Sequence, residues 1–158
     1  MKPNHVRELL TQALAELADA RRHLDYSHQQ VSNLPPTLAG ISESQLESVE
    51  AYTSRFARAV DLLVNKVLRT LDRIELKPPG TLLDTVNRAE QRGFIDTAGD
   101  LREMKDVRNV IAHDYAGTKA AEIFAYCREK KSVLDAACDR VAEYATRRFT
   151  GNVKTKVQ

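Results

Sequence analysis

The chain has 158 residues, of which 42% are hydrophobic and 29% are charged, so it is long enough for one domain with a buried core. Its formal net charge of +2 neither requires a nucleic acid partner nor excludes one, because a local basic patch can be sufficient. No segment is long and apolar enough to span a membrane, and residues 1–5 lead into an amphipathic pattern without the apolar core of a signal peptide. We therefore expect a soluble, cytoplasmic protein.

Two long helices are predicted in the first half of the chain. Apolar residues recur every three or four positions over about residues 4–31, which is the spacing of a helix with one buried face. The prolines at positions 35–36 end this helix, because proline disfavours helical geometry in the residue before it. Ser44 and Glu47 fit a capping box that opens the second helix, and the apolar stripe of that helix runs to Ile74.

A short helix and another long one are predicted to follow. The short helix ends at Gly93, and its apolar positions, expected to face inward, are Leu82, Leu83, Val86 and Ala89. Asp96 or Thr97 is expected to cap the next helix. The inner face of that helix is predicted to comprise Ala98, Leu101, Val107, Ile111 and either Met104 or the aliphatic part of Lys105.

The last helix completes an all-α fold. Gly117 suits the left-handed position after a helix, and Thr118 is expected to cap the final helix, which is predicted to run to about Phe149. The alternation typical of strands is missing from the sequence, and so are repeats. The sequence therefore predicts an up-and-down helical bundle of four long helices and one short helix, formed by residues 1–150, with residues 151–158 as a basic C-terminal tail.

The two cysteines, Cys127 and Cys138, are predicted to lie on one helix. Their spacing separates them by about 16 Å along the helix axis, which is too far for a disulfide. We expect both to be small core residues. His5, His23 and His28 have no partners at zinc-binding spacing, so we predict neither a metal site nor a cofactor.

The candidate active site is an eight-residue segment, residues 108–115, with the sequence Arg-Asn-Val-Ile-Ala-His-Asp-Tyr. Arg108 supplies a fixed positive fork for phosphate, and His113 can transfer a proton near neutral pH. Together these two groups suffice to cleave a phosphodiester without a metal ion. Asn109 would orient His113 or the phosphate.

The spacing of these residues determines which helix face each of them occupies. At about 100° per residue, Arg108 and Tyr115 share one face, and Asn109 and His113 share the neighbouring face. Ala112 lies between the two pairs and leaves room for a ligand. His113 and Tyr115 fall in the last turn, where the helix dipole favours an imidazolium. The four polar groups are therefore predicted to line one arc of the helix.

The segment resembles the signature of the HEPN superfamily, which is an arginine, a polar residue and, a few residues further on, a histidine. The longer pattern Arg-x4-His-x-Tyr, formed here by Arg108, His113 and Tyr115, is similar to that of the HepT toxins of HEPN/MNT toxin–antitoxin pairs. The resemblance is specific over residues 101–118 and general over the rest of the chain, where the layout of long helices is similar.

This resemblance implies a metal-independent endoribonuclease that acts on cellular RNA. The ribose 2′-hydroxyl would attack the phosphorus, with Arg108 and His113 as catalytic residues and Asn109 supporting them. The resemblance also implies a homodimer in which two motifs form a composite site. Its implied partner is an MNT-type nucleotidyltransferase antitoxin, which would silence the toxin by transferring AMP to Tyr115.

Two other functions fit the same residues. The chain could be a non-catalytic, substrate- or nucleotide-binding subunit of a nucleotidyltransferase, in which Arg108 and His113 hold a phosphate without cutting it. It could also be a helical dimerisation adaptor with no site, which a structure would favour by placing Arg108 and His113 in unrelated environments. Each residue also has a purely structural explanation: Arg108 could pair with Asp106, Asp114 or a carboxylate of another helix, and His113 could cap a helix end.

Overall fold

The computed structural model describes residues 2–114 and 117–150, and within them the chain forms helices joined by turns and loops, without strands. The predicted basic tail, residues 151–158, lies outside the described residues. The five helices are α1 (Pro3–Val31), α2 (Glu43–Asp61, continued through Leu62–Leu68 and Arg69–Ile74), α3 (Leu82–Gln91), α4 (Ala98–His113) and α5 (Ala120–Ala145, continued through Thr146–Thr150).

The first helix, α1, begins at Pro3 and ends at Val31, within a residue of its predicted bounds. A proline fits the first position of a helix, because its missing N–H group would have no partner there. After the helix, the N–H of Leu34 donates to the carbonyl of Val31 at 3.1 Å. The chain therefore turns away from the helix before it reaches the prolines at positions 35–36.

The cap of α2 lies two residues before the predicted one. The hydroxyl of Ser42 accepts the backbone N–H of Gln45 at 3.1 Å, and the side chain of Gln45 accepts the backbone N–H of Ser42 at 2.8 Å. The prediction that Ser44 and Glu47 form the capping box was therefore wrong. Both pairs match the same sequence pattern, but Ser44 already lies inside the helix.

The winding of α2 changes in its middle. Leu62–Leu68 is π-helical, so its backbone hydrogen bonds reach the fifth preceding residue rather than the fourth. The apolar stripe continues through this stretch to Leu71, which is fully buried. π-Helical turns are frequent at functional sites. Here the turn begins directly after Asp61, whose carboxylate faces α4.

The short helix α3 turns a slightly different face inward than predicted. Val86 and Ala89 are buried as expected, but Leu83 is 46% exposed, so its inward placement was wrong. Thr85 is 3% exposed and takes part of the inner face instead, which rotates that face away from Leu83. Gly93 has a φ of 77° and ends the helix as predicted.

The caps of α4 and α5 were only partly predicted. Thr97, rather than Asp96, occupies the cap position of α4, although its side chain makes no capping hydrogen bond. The cap position of α5 is Lys119, so the prediction for Thr118 was wrong. The reason is Asp114, whose carboxylate accepts the N–H of Lys119 at 3.0 Å and the hydroxyl of Thr118 at 3.3 Å. The carboxylate of Asp114, which precedes the loop between α4 and α5, therefore takes the place of a capping side chain at the start of α5.

Side-chain pairs show that neighbouring helices run antiparallel. Between α1 and α2, the early residue Glu16 contacts the late residue Lys66, whereas the late residue His28 contacts the early residue Tyr52. The same relation holds between α1 and α5, where the pairs are Arg21 with Asp139 and Asp25 with Lys131. The predicted all-α bundle of four long helices and one short helix is confirmed.

The core takes apolar side chains from all five helices, and the largest fully buried ones include Tyr52, Phe56 and Phe124. Cys127 and Cys138 are buried and form no disulfide, as predicted. Burial raises the pKa of the Cys127 thiol to about 12, so this thiol stays protonated at neutral pH. None of the described helices combines the length and the hydropathy that crossing a bilayer requires.

Candidate active site

The last two turns of α4 carry Arg108, Asn109 and His113, and the helix ends at His113. The residues that hold this helix against the core are Ala98, Leu101, Met104 and Lys105, which are buried, and Val107 and Ile111, which are partly buried. Asn109 and His113 are exposed, and Arg108 is partly exposed. Arg108, Asn109 and His113 therefore lie on the solvent side of a helix whose inner face packs against the core.

A carboxylate from α2 fixes Arg108. Asp61 accepts hydrogen bonds from Nε of Arg108 at 2.6 Å and from Nζ of Lys105 at 2.7 Å. Lys105 is only 8% exposed, so its charge requires this partner. Nη1 of Arg108 donates to the side-chain oxygen of Asn109 at 3.4 Å, and its Nη2 has no partner among the described residues. The guanidinium is thus oriented through Nε and keeps donors for an anion.

Arg108 lines an open groove of about 820 Å³ between α1, α2 and α4. Its charged or titratable lining residues are Asp19 and His23 on α1, Arg55, Arg58, Asp61 and Lys66 on α2, and Arg108 on α4. Four permanent cations thus face two carboxylates, one of which, that of Asp61, is already engaged by Lys105 and Arg108. A groove with this balance can hold a phosphodiester backbone.

His113 opens to a different and smaller recess, of about 340 Å³, which it shares with Asn109, Val110, Asp114 and Lys119. The prediction that Asn109 and His113 share a face is confirmed. Arg108 lies about 140° away from His113 around the helix axis and lines the groove instead. The predicted single arc is therefore divided between two recesses on adjacent faces of the same helix end. Ala112, between them, is exposed and lines the groove.

The loop after α4 is held at both of its described ends. The N–H of Gly117 donates to the carbonyl of Asp114 at 3.1 Å, and Gly117 has a φ of 66°, the left-handed geometry predicted for it. Tyr115, the last residue of the candidate segment, lies outside the described residues. Asp114, directly before it, lines the recess of His113, so the loop leaves the helix beside that histidine.

These groups are suited to phosphoryl transfer. A fixed guanidinium stabilises charge on non-bridging phosphate oxygens, and a histidine at a helix C-terminus, where the dipole favours the imidazolium, can exchange protons. In the part of the chain that the structure describes, no three His, Cys, Asp or Glu side chains come together as a candidate metal site.

The carboxyl of Asp61 is held in its charged form. Burial alone would raise its pKa, but the hydrogen bonds and positive charges of Lys105 and Arg108 outweigh burial and lower the pKa below its usual value of 3.8. A carboxylate whose pKa is lowered on folding stabilises the fold above its unfolded pKa. That contribution is lost as the pH falls through the folded pKa.

We expect Asp61→Asn to lower the free energy of unfolding by about 2 kcal/mol, because it leaves the charge of buried Lys105 without its partner. Urea-induced unfolding at neutral pH measures this difference. The difference should shrink as the pH falls below 3.8, because the wild-type carboxyl then becomes protonated and is neutral, like the amide of the variant. The control is Glu16→Gln, which removes the exposed partner of Lys66 and should change stability little. Equal stability of the two variants would contradict the role assigned to Asp61.

The family model described as Ribonuclease HepT-like matches residues 10–141 of the chain. The chain belongs to the HepT-like ribonuclease family. Neither a curated protein nor a solved structure matches it. The matched range contains the segment 108–115 together with the α2 residues that hold it.

The sequence of this HepT-like ribonuclease indicates Arg108 and His113 as candidate catalytic residues, but it does not indicate the residues that surround them. Lys105 stands one turn before Arg108 on the same face, which was a signal that both bind one carboxylate. Asp61 directly follows the apolar stripe residue Val60, yet nothing in the sequence pairs it with α4. His23 was given no role, although the structure brings it to the groove that Arg108 lines.

Proposed function

We propose that this HepT-like ribonuclease is a toxin that cleaves cellular RNA in the cytoplasm without a metal ion. The proposal rests on the placement of Arg108. Asp61 holds the guanidinium of Arg108 at the wall of a positively charged groove. An arginine oriented in this way stabilises the charge that develops on a phosphate during strand cleavage. Membership of a ribonuclease family supports the same reading.

In the proposed reaction, the ribose 2′-hydroxyl attacks the adjacent phosphorus and the bond from phosphorus to the 5′-oxygen breaks. The products are a 2′,3′-cyclic phosphate and a 5′-hydroxyl. His113 takes the proton from the 2′-hydroxyl or gives one to the leaving 5′-oxygen, and Arg108 stabilises the non-bridging oxygens. Asn109 contacts Arg108 at 3.4 Å and shares the recess of His113, so it supports the orientation of both.

A symmetric homodimer would bring the two halves of this site together. Within one chain, Arg108 and His113 open to separate recesses, and the candidate segment holds a single histidine. In a twofold dimer, each surface patch meets its own copy, so His113 of one chain can face the groove of the other. The small side chain of Ala112 between the two recesses leaves room for the approach of a second helix or an RNA strand.

The proposal includes a partner that controls the toxin. An MNT-type nucleotidyltransferase antitoxin would transfer AMP from ATP to the hydroxyl of Tyr115, with release of pyrophosphate. The added phosphate is bulky and negatively charged, and it would compete with RNA for Arg108.

The chemical identity of the RNA ends tests the proposed reaction. We expect a 2′,3′-cyclic phosphate on one product and a 5′-hydroxyl on the other, because the 2′-oxygen is the nucleophile. An RNA with a 2′-O-methyl group at the cleaved position should resist the enzyme for the same reason. Products with a 5′-phosphate would exclude 2′-hydroxyl attack.

We expect cleavage to continue undiminished in an excess of chelator, because Arg108 supplies the positive charge that a metal ion supplies in other nucleases. The measurement is the initial rate of RNA cleavage before and after dialysis against the chelator. A magnesium-dependent nuclease in the same buffer serves as the control for complete chelation. Loss of activity that a divalent ion restores would contradict the metal-independent mechanism.

A further inference from the structure

Four cationic side chains surround a second recess at the end of α2, outside the groove that Arg108 lines. They are Arg69 and Arg73 on α2, Lys77 in the following loop and Arg88 on α3, and the recess has a volume of about 240 Å³. Residues 78–80 form another part of its wall. Because the whole chain has a formal net charge of only +2, four cations around one recess are a local concentration of positive charge.

The one carboxylate that lines this recess is already neutralised. Asp72 is 5% exposed, and Arg88 and Arg92 donate to its two oxygens at 3.2 Å and 2.6 Å. The side chains of Arg69 and Lys77, by contrast, are exposed and make no hydrogen bond or ion pair within the described residues. The recess thus combines one cation fixed by a buried carboxylate with two that are available to a ligand.

The groove and the recess lie along one exposed stripe of α2. Lys66 lines the groove, while Arg69 and Arg73 line the recess, and residues three and four apart stand on the same side of a helix. From Lys66 to Arg73 the helix advances by about 10 Å, which is roughly the rise of three stacked nucleotides. An RNA strand that leaves the groove along α2 would therefore reach the recess within a few nucleotides.

We propose that this recess binds the phosphate backbone of the RNA substrate, a few nucleotides away from the site of cleavage. The proposal rests on the ribonuclease function proposed for the groove and extends it: RNA is held at two places along α2 and cut at one. Contacts from lysine and arginine to phosphates carry no sequence information. The recess would therefore raise the affinity for long RNA without selecting a sequence, and short RNAs that fill only the groove would not use it.

The test compares Arg69→Gln/Lys77→Gln with a matched control, Arg140→Gln/Arg147→Gln, which removes the same charge from exposed positions elsewhere. Fluorescence anisotropy measures binding to 2′-O-methylated oligonucleotides of about twenty and about two nucleotides, which keep their phosphates but lack the attacking hydroxyl, and the shorter of which cannot span from the groove to the recess. The recess variant should bind the long strand more weakly than the control. The slope of log affinity against log salt should shrink by about 1.4 for two lost contacts to a single strand. Its affinity for the short strand, and its cleavage of a short unmodified RNA, should match those of the control.

Equal affinities and salt slopes of the two variants on the long strand would overturn the proposal, because the recess would then contribute nothing to RNA binding. An equal loss of affinity for the short and the long strand would also overturn it, because the recess would then not act as a distant contact. Binding is measured on strands that resist cleavage. If the wild-type protein cuts no RNA, the ribonuclease function is refuted, but the binding of the two variants to the uncleavable strands still decides whether the recess holds RNA.

Discussion

Arg108→Ala and His113→Ala are each expected to lower the rate of RNA cleavage at least about a hundredfold while the bundle stays folded. The first removes the charge that stabilises the phosphate oxygens, and the second removes the proton-transfer group. His113 is exposed and the Arg108 side chain is 36% exposed, so neither change opens a core cavity. Each should lower the free energy of unfolding by no more than about 1 kcal/mol. Cleavage assays and urea unfolding on the same preparations measure both quantities.

A control on the same helix separates the loss of charge from the loss of function. Arg102 is exposed on α4 and lines neither the groove nor the recess of His113, so Arg102→Ala should retain wild-type activity. Full activity in His113→Ala would remove that residue from proton transfer. A wild-type protein that binds nucleotides in the groove but cuts no RNA would favour the alternative function, a nucleotide-binding subunit of a nucleotidyltransferase.

Mixing the two inactive variants tests whether Arg108 and His113 act across the dimer. If each site takes its arginine from one chain and its histidine from the other, a mixed dimer has one intact site. If subunits exchange at random in an equal mixture, half of the dimers are mixed, and each of these has one intact site out of two. About a quarter of the wild-type activity should then return. Failure to restore activity would show that both residues act within one chain. A protein that light scattering finds monomeric at micromolar concentration would contradict the composite site altogether.

The helices could be predicted from the sequence because their apolar periodicity is long and regular, whereas their caps were harder. Ser42 and Ser44 both start a capping pattern, and only the folded chain shows that Ser42 is used. Thr118 is a good local cap, but the carboxylate of Asp114 reaches across the loop and satisfies the Lys119 N–H instead. Local propensity could not predict these outcomes, because contacts with distant or competing residues decided them.

The candidate site was predictable to the extent that it lies on one helix. Arg108, Asn109 and His113 follow from their spacing on α4, and so does the shared face of the last two. The ion pair of Arg108 with Asp61 joins residues 47 positions apart in the chain. This ion pair depends on how α2 lies against α4. Asp61 stands directly before a π-helical stretch of α2, which the apolar periodicity of the sequence does not reveal. A sequence pattern therefore identified the candidate residues on α4 but not Asp61, the side chain that orients Arg108.

Modification of Tyr115 is expected to abolish RNA cleavage, with an effect as large as that of Arg108→Ala. Asp114, the residue before Tyr115, lines the recess of His113, and the helix that carries Arg108 ends one residue before Asp114. An AMP group attached at this position would add a phosphate close to the proposed RNA phosphate site. Its negative charge would occupy the arginine and repel the RNA backbone.

Co-expression with the proposed nucleotidyltransferase antitoxin tests this regulation. Intact-mass spectrometry should show the added mass of one or more AMP units on the wild-type chain and none on Tyr115→Phe, which lacks the acceptor hydroxyl. The unmodified Tyr115→Phe protein should still cleave RNA, because the proposed reaction does not use the tyrosine. In cells, the antitoxin should then fail to neutralise this variant. If it neutralises Tyr115→Phe as well as the wild type, the toxin is silenced by burial in a complex, and the regulatory role of Tyr115 is wrong.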